Sequence, residues 1–269
     1  MTDAKKSEAN RTDEEREVPA TRPGQEVIVK RAVVLWAMIA LVAAGAWTPA
    51  AAQATGDTWE ITVAPYLMGA SMNGTTTVRG RDFDVDLSMS DIFSNLQFGA
   101  MGLVVAKKGN WGFGADAIWM ALGTTLRNTN VDFNQGAFAF YGLRQLGPAA
   151  DVLFGLRVNT LQGTLNFKAL GVDVSQDETW VDPIVGLRLR TPPDRPVHLQ
   201  VYSEIGGFGA GSDFTWQIFP TVGFKIAPKA SLEVGYRWLD LDYSKGEGTE
   251  RFGYDVLTQG PLAGVAFRF

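Results

Sequence analysis

Along most of this chain apolar side chains recur at every second position, and no stretch sustains a helical period. Pro261, Ala263, Val265, Phe267 and Phe269 alternate to the last residue, which predicts a strand with one apolar face. Trp216, Ile218, Val222, Phe224 and Ile226 do the same, with Gln217, Thr221 and Lys225 on the other face. Val197, Leu199, Val201 and Ile205 alternate with His198, Gln200, Tyr202 and Glu204, and Val152, Phe154, Leu156 and Val158 with Arg157 and Asn159. Trp59, Ile61, Val63 and Leu67 run against Glu60 and Thr62, and Leu232, Val234, Tyr236 and Trp238 against Glu233 and Arg237. The alternation slips at Leu239 and is ambiguous in 95–107 and 131–145, where a bulge or a shifted boundary is expected.

The connections sort into two kinds. Ala227–Ala230, Thr191–Pro196, Leu146–Ala150 and Lys107–Asn110 are compact and contain Pro or Gly. Met72–Ser94, Gly123–Asn130, Lys168–Glu178, Gly209–Asp213 and Ser244–Arg251 are longer and more polar. Short turns at one end and long loops at the other suit a membrane barrel with its short turns in the periplasm. The reading gives about ten strands, with 8 or 12 as alternatives, an even number that returns both termini to the short-turn side.

Charge gathers on one face, and the opposite faces are nearly free of it. Arg157, Asp182, Arg188, Arg190, His198, Glu204, Lys225, Glu233 and Arg237 all lie opposite the apolar rows. A soluble sandwich or lipocalin-like barrel also alternates, but its dry core cannot hold so many charges unpaired. The polarity is therefore inverted: the charges line a lumen and the apolar rows face lipid. This is the pattern of an all-β, up-and-down antiparallel transmembrane barrel, with Trp59, Trp111 and Trp238 as candidates for its aromatic girdles. A lumen this narrow is largely filled by side chains. Pairing about the Ala227–Ala230 turn sets Lys225 opposite Glu233 and Thr221 opposite Arg237, which favours a self-neutralising network over a selectivity filter.

Ahead of the strands, Lys30 and Arg31 precede an apolar run from Ala32 to Ala46, then Pro49 and a small-residue segment to Ala54. Basic start, short apolar middle and small-residue end make a signal peptide over 30–54, cleaved after Ala52 or Ala54. Residues 1–29 are charged and read as a disordered prefix or a mis-assigned start, which leaves 55–269 for the barrel. The segment ahead of Thr55 carries equal numbers of basic and acidic residues, so its removal leaves the net charge at -5. That acidic balance argues against a nucleic-acid partner. With no cysteine in the chain, neither a lipid-modified N-terminus nor a disulfide is expected.

Gly235-Tyr236-Arg237-Trp238-Leu239-Asp240-Leu241-Asp242-Tyr243, with Gly260-Pro261 and Phe267-Arg268-Phe269 beyond it, resembles the last hairpin of small proteobacterial outer-membrane β-barrel proteins. Ala64-Pro65-Tyr66-Leu67, Ser90-Asp91-Ile92-Phe93 and Lys108-Gly109-Asn110-Trp111-Gly112 extend the resemblance to the front of the barrel. It implies the outer membrane of a Gram-negative cell envelope, contact with lipid and lipopolysaccharide, and a barrel-assembly machinery that reads Phe267 and Phe269 as an address. It implies no activity and no cofactor, since these signatures are structural.

The residues offer little chemistry. His198 is the only histidine; it follows a periplasmic turn, far from the surface loops, and is read as a lumen residue beside Arg190. No G-x-S-x-G, H-E-x-x-H or P-loop occurs. Asp82, Asp84, Asp86 and Asp91 lack the glycine and distal glutamate of a calcium loop, so no metal site is assigned. Gly207 to Gly211 reads as a tight surface turn, and Asn73-Gly74-Thr75 as an Asn-Gly turn. The expected function is a structural or surface-interaction barrel without catalysis. A narrow channel for small solutes is the alternative, and an outer-membrane hydrolase comes third.

Overall fold

Each strand of the barrel pairs antiparallel with its neighbours, and the last returns to the first. The computed structural model describes residues 58–126, 129–167 and 172–269; the predicted prefix 1–29 and signal segment 30–54 lie outside them. The chain opens with β1 (Glu60–Met68), β2 (Ser71–Val78), β3 (Arg81–Leu87) and a short helix α1 (Met89–Asn95). There follow β4 (Leu96–Lys108), β5 (Trp111–Leu126), β6 (Thr129–Gly147), β7 (Ala150–Phe167) and β8 (Val172–Arg190). The last four are β9 (Val197–Gly206), β10 (Phe214–Ala227), β11 (Ala230–Lys245) and β12 (Phe252–Arg268). β1 pairs with β4 on one side and β12 on the other, so β1 and β4 to β12 close a ten-stranded barrel.

Closure is exact at the C-terminus: Val63 sits opposite Phe267, and the Phe269 N–H donates to the Ile61 carbonyl at 2.9 Å. β12 is long enough to serve two partners. Its C-terminal half holds β1, while Gly253–Gln259 holds β2, with the break at Gly69-Ala70. β3 then adds to β2 instead of to β4, and α1 leads back into the barrel wall. A β2–β3 hairpin therefore extends the loop end of the barrel inside what the sequence marks as one long loop. Its reversal lies at Arg79-Gly80, both at positive φ (52° and 73°), and β2 runs straight through the predicted Asn73-Gly74 turn.

The observed faces follow the alternation. Ile61, Leu67, Phe154, Leu156, Val197, Leu199, Phe224, Leu232, Val234 and Phe267 are exposed on the outside, while Arg157, Asp182, His198, Glu204 and Arg237 are buried inside. The expected slip at Leu239 does not occur. β11 pairs with β12 without a bulge from Ala230 to Lys245, and Leu239 and Leu241 stay on the inner face. The inner surface simply turns apolar there. The same cause blurs 95–107 and 131–145, where Val105, Ala137, Ala139 and Leu143 are buried and both faces read as apolar, and irregularities do occur at their ends, between Leu96 and Phe98 and between Gln145 and Gly147. Two predicted loops are also shorter than expected, because Gly123–Leu126 pairs with Thr129–Asp132 and Thr160–Phe167 with Val172–Thr179. Strands that extend beyond an apolar belt lose apolar character without losing their ladder.

Candidate functional site

The interior divides into three levels. Nearest the loop end it is apolar and aromatic: Met72, Leu161, Leu239, Leu241 and Val256 are buried together, and Trp180 stacks on Tyr243 with ring centroids 4.1 Å apart. Trp180 Nε1 donates to Ser212 Oγ (2.8 Å), and the Ser212 hydroxyl and N–H both donate to Asp182 (2.9 and 2.6 Å). The β9–β10 loop, read as a surface turn, is thus tied inward by its Ser212. The helix α1, whose Ile92 is buried in this apolar cluster, is capped by Ser88. The Ser88 hydroxyl and N–H donate to the Asp91 carboxylate and hold it below the ordinary carboxylate range.

At mid-height the lumen is crossed by two ionic clusters. Arg237 donates to Asp116, Gln217 and the Tyr66 hydroxyl (2.6 Å to the last), with its guanidinium 4.9 Å from the Phe219 ring centroid. Tyr66 in turn donates to Asp116 at 2.8 Å. Arg157 lies 3.0 Å from Glu204 and donates to Thr215 Oγ1 at 3.1 Å, while Tyr202 donates to Glu204. Asp116, Arg157, Glu204, Gln217 and Arg237 are each at most 3 % exposed. A group so buried holds its charge only with partners of this kind.

Below that floor, toward the short turns, opens a cavity of about 420 Å³. Its lining includes Lys107, Arg188, Arg190, His198, Glu233 and Arg268. Asp151, fully buried, accepts from Lys107 (2.9 Å), Arg188 (2.7 Å) and Arg190 (3.2 Å). His198 Nε2 meets Glu233 Oε1 at 2.8 Å. The register explains this contact: both residues are opposite Gly223 on the strand between them, where a Cβ would collide with the imidazole.

The predicted lumen residues are therefore distributed over all levels. Asp182, cross-strand from Arg157, links mid-height to the loop-end layer through Ser212; Arg157, Glu204 and Arg237 lie at mid-height, and Arg188, Arg190, His198 and Glu233 around the cavity; Lys225 is exposed at its rim. Two expected contacts are different in the structure. Lys225 is opposite Ser231, and Thr221 is opposite Gly235, because a tighter turn pairs Ala227 directly with Ala230 and leaves an irregularity after Lys225. His198 and Arg190 line the same cavity, and the partner of His198 there is Glu233. Sequence reading missed Asp116, Asp151, Lys107 and Arg268. Asp116 is the lone charge in the apolar and small-residue run Trp111–Leu122, a signal that was available. Asp82 and Asp86, on the β3 face turned away from the lumen, accept from Thr77 (2.6 Å) and Asn73 (2.8 Å).

No protein-family model matches the chain, and no curated protein does. Among solved structures it is similar to the outer membrane protease OmpT of Escherichia coli, with 10 % identity over 81 % of this chain and 99 % of that one, at a TM-score of 0.49. It is also similar to Ail, the attachment invasion locus protein of Yersinia pestis (11 % identity, 80 % of this chain and 100 % of that one, TM-score 0.40). Neisserial surface protein A gives 10 % identity over 81 % of this chain and 100 % of that one, with a TM-score of 0.32.

Proposed function

We propose that this chain is an outer-membrane β-barrel of a Gram-negative envelope with a structural or surface-interaction role, no catalytic activity and no open channel. One observation carries the reading: the barrel is apolar outside and ionic inside, and the ionic layer is buried. In water a belt of exposed Phe, Leu and Val around the whole wall is an aggregation surface. In a bilayer it is the required exterior. On β10 the outward residues run from Trp216 to Ile226, which in a tilted strand spans about 25 Å, the height of the apolar band in such barrels. Trp59 and Trp111 are exposed at the turn end, with Arg144 stacked 4.9 Å over Trp111, as suits one interfacial girdle. Residues 30–54 serve as the export signal in this reading, and Phe267 and Phe269, exposed on the closing strand, present the address to the assembly machinery. The β2–β3 hairpin and α1 are the parts placed to meet lipopolysaccharide or other surfaces.

Planar-bilayer recording of the purified barrel tests the closed lumen. The expected trace shows no steady conductance, because the cavity ends beneath the Tyr66–Asp116–Arg237 cluster. Large, long-lived openings would refute the reading and favour a channel.

A further inference from the structure

We infer that the turn-end cavity is a binding site for a small organic anion bearing a phosphate group. The charge inventory is the first ground. Lys107, Arg188 and Arg190 all reach the single carboxylate of Asp151, and their side chains are only 11 %, 8 % and 21 % exposed. Asp151 offsets one of these three cations; with Arg268 and Glu233, which line the same cavity, the count is four cations against two carboxylates, so two positive charges remain in a largely desolvated pocket, a costly arrangement unless an anion joins it. Glu60 and Asp194 lie on the exposed rim, where Lys225 and Lys229 match them. The Arg237–Asp116 pair in the floor is neutral as a unit.

Arg268, the fourth of these cations, comes from the closing strand. It donates to the Pro193 carbonyl at 2.7 Å, approaches His198 Nε2 and Ser231 Oγ at 3.4 and 3.5 Å, and has no carboxylate partner among the described residues. His198 is the second, independent ground. It is 6 % exposed, its Nε2 is held by Glu233, and its Nδ1 is buried without a hydrogen-bond partner. A buried polar atom without a partner marks an unmet hydrogen bond in the wall of this cavity.

Shape and chemistry narrow the ligand. The volume suits a small molecule, and the guanidinium forks match phosphate oxygens in paired hydrogen bonds. Leu103, Val105, Leu262 and Ala266 form part of the lining, so an apolar portion can be covered as well as the charged head. Asp151 beneath the cations holds them in place before the ligand arrives, which lowers the ordering cost of binding.

Calorimetric titration of the folded, detergent-solubilised full chain with inorganic pyrophosphate, and separately with dihexanoyl phosphatidic acid, tests the site. Saturable one-to-one binding is expected, weakened at least tenfold in an Arg190→Gln/Arg268→Gln variant and unchanged in Lys245→Gln at the loop end. Arg188 and Lys107 still satisfy Asp151 in that double variant; if it nonetheless fails to fold, Arg268→Gln alone is expected to weaken binding at least threefold. Tighter binding of pyrophosphate assigns a free phosphorylated solute, and tighter binding of the lipid assigns a headgroup; either supports the site. No saturable binding of either probe, or equal affinity in the cavity variants and the parent, overturns it.

Discussion

Replacing Leu156 by arginine is expected to destabilise the folded barrel by about 2–4 kcal/mol, the cost of a cation at the bilayer midplane on a lipid-facing wall. Leu156 is 51 % exposed. At an exposed position of a water-soluble protein the same change usually stays within about ±0.5 kcal/mol, so the size of the effect reports the solvent outside the barrel. The residue lies between Phe140 and Pro183 on the adjoining strands, well inside the ladders on both sides. Val197, 51 % exposed at the turn-end start of β9, is the matched control: near the interface an arginine costs about 0–1 kcal/mol. Urea midpoints of the two variants refolded in vesicles give the comparison. Equal, negligible losses at both positions would contradict a lipid-facing exterior.

Arg237→Met has the second large effect and acts from inside. The variant leaves Asp116 buried without its cation, and breaking one side of a buried pair costs about 3–5 kcal/mol. Arg237 also holds Gln217 and Tyr66, so the loss falls at the upper part of that range. Converting both partners, Arg237→Met with Asp116→Leu, is expected to recover most of the stability, because apolar replacements of similar volume offset a buried pair. Unfolding of the two single variants and the double gives the coupling directly. Additive losses would mean that the two side chains do not depend on each other.

The faces of the barrel were legible in the sequence, and the partners within it were not. A side-chain period of 2 decides inside from outside for a whole strand at once. The shift that moved Lys225 from Glu233 to Ser231 spans two residues on the partner strand, so it changed the neighbours and preserved the face. Contacts such as His198 with Glu233 jump an intervening strand at a glycine, and Arg237 reaches Asp116 across the lumen. Neither follows from spacing along the chain. Where the inner wall is built of Ala, Leu and Tyr, as in β6, the two faces carry the same signal and alternation alone leaves the strand ambiguous. Asp151 was hidden for another reason: it directly follows the Leu146–Ala150 turn and reads as part of it until its three cations are seen around it.

The chain has no cysteine, so single cysteines introduced along β7 report one site each. Leu156→Cys and Asn159→Cys, in folded protein reconstituted in vesicles, can be probed with a water-soluble maleimide and a bilayer-resident quencher of a label attached before folding. A closed membrane barrel predicts that Leu156 is reached only from the lipid phase and that Asn159, 1 % exposed and donating to Asp182 at 2.7 Å, is reached from neither. Rapid maleimide reaction at Leu156 would contradict the lipid-facing wall, and rapid reaction at Asn159 would contradict the closed lumen.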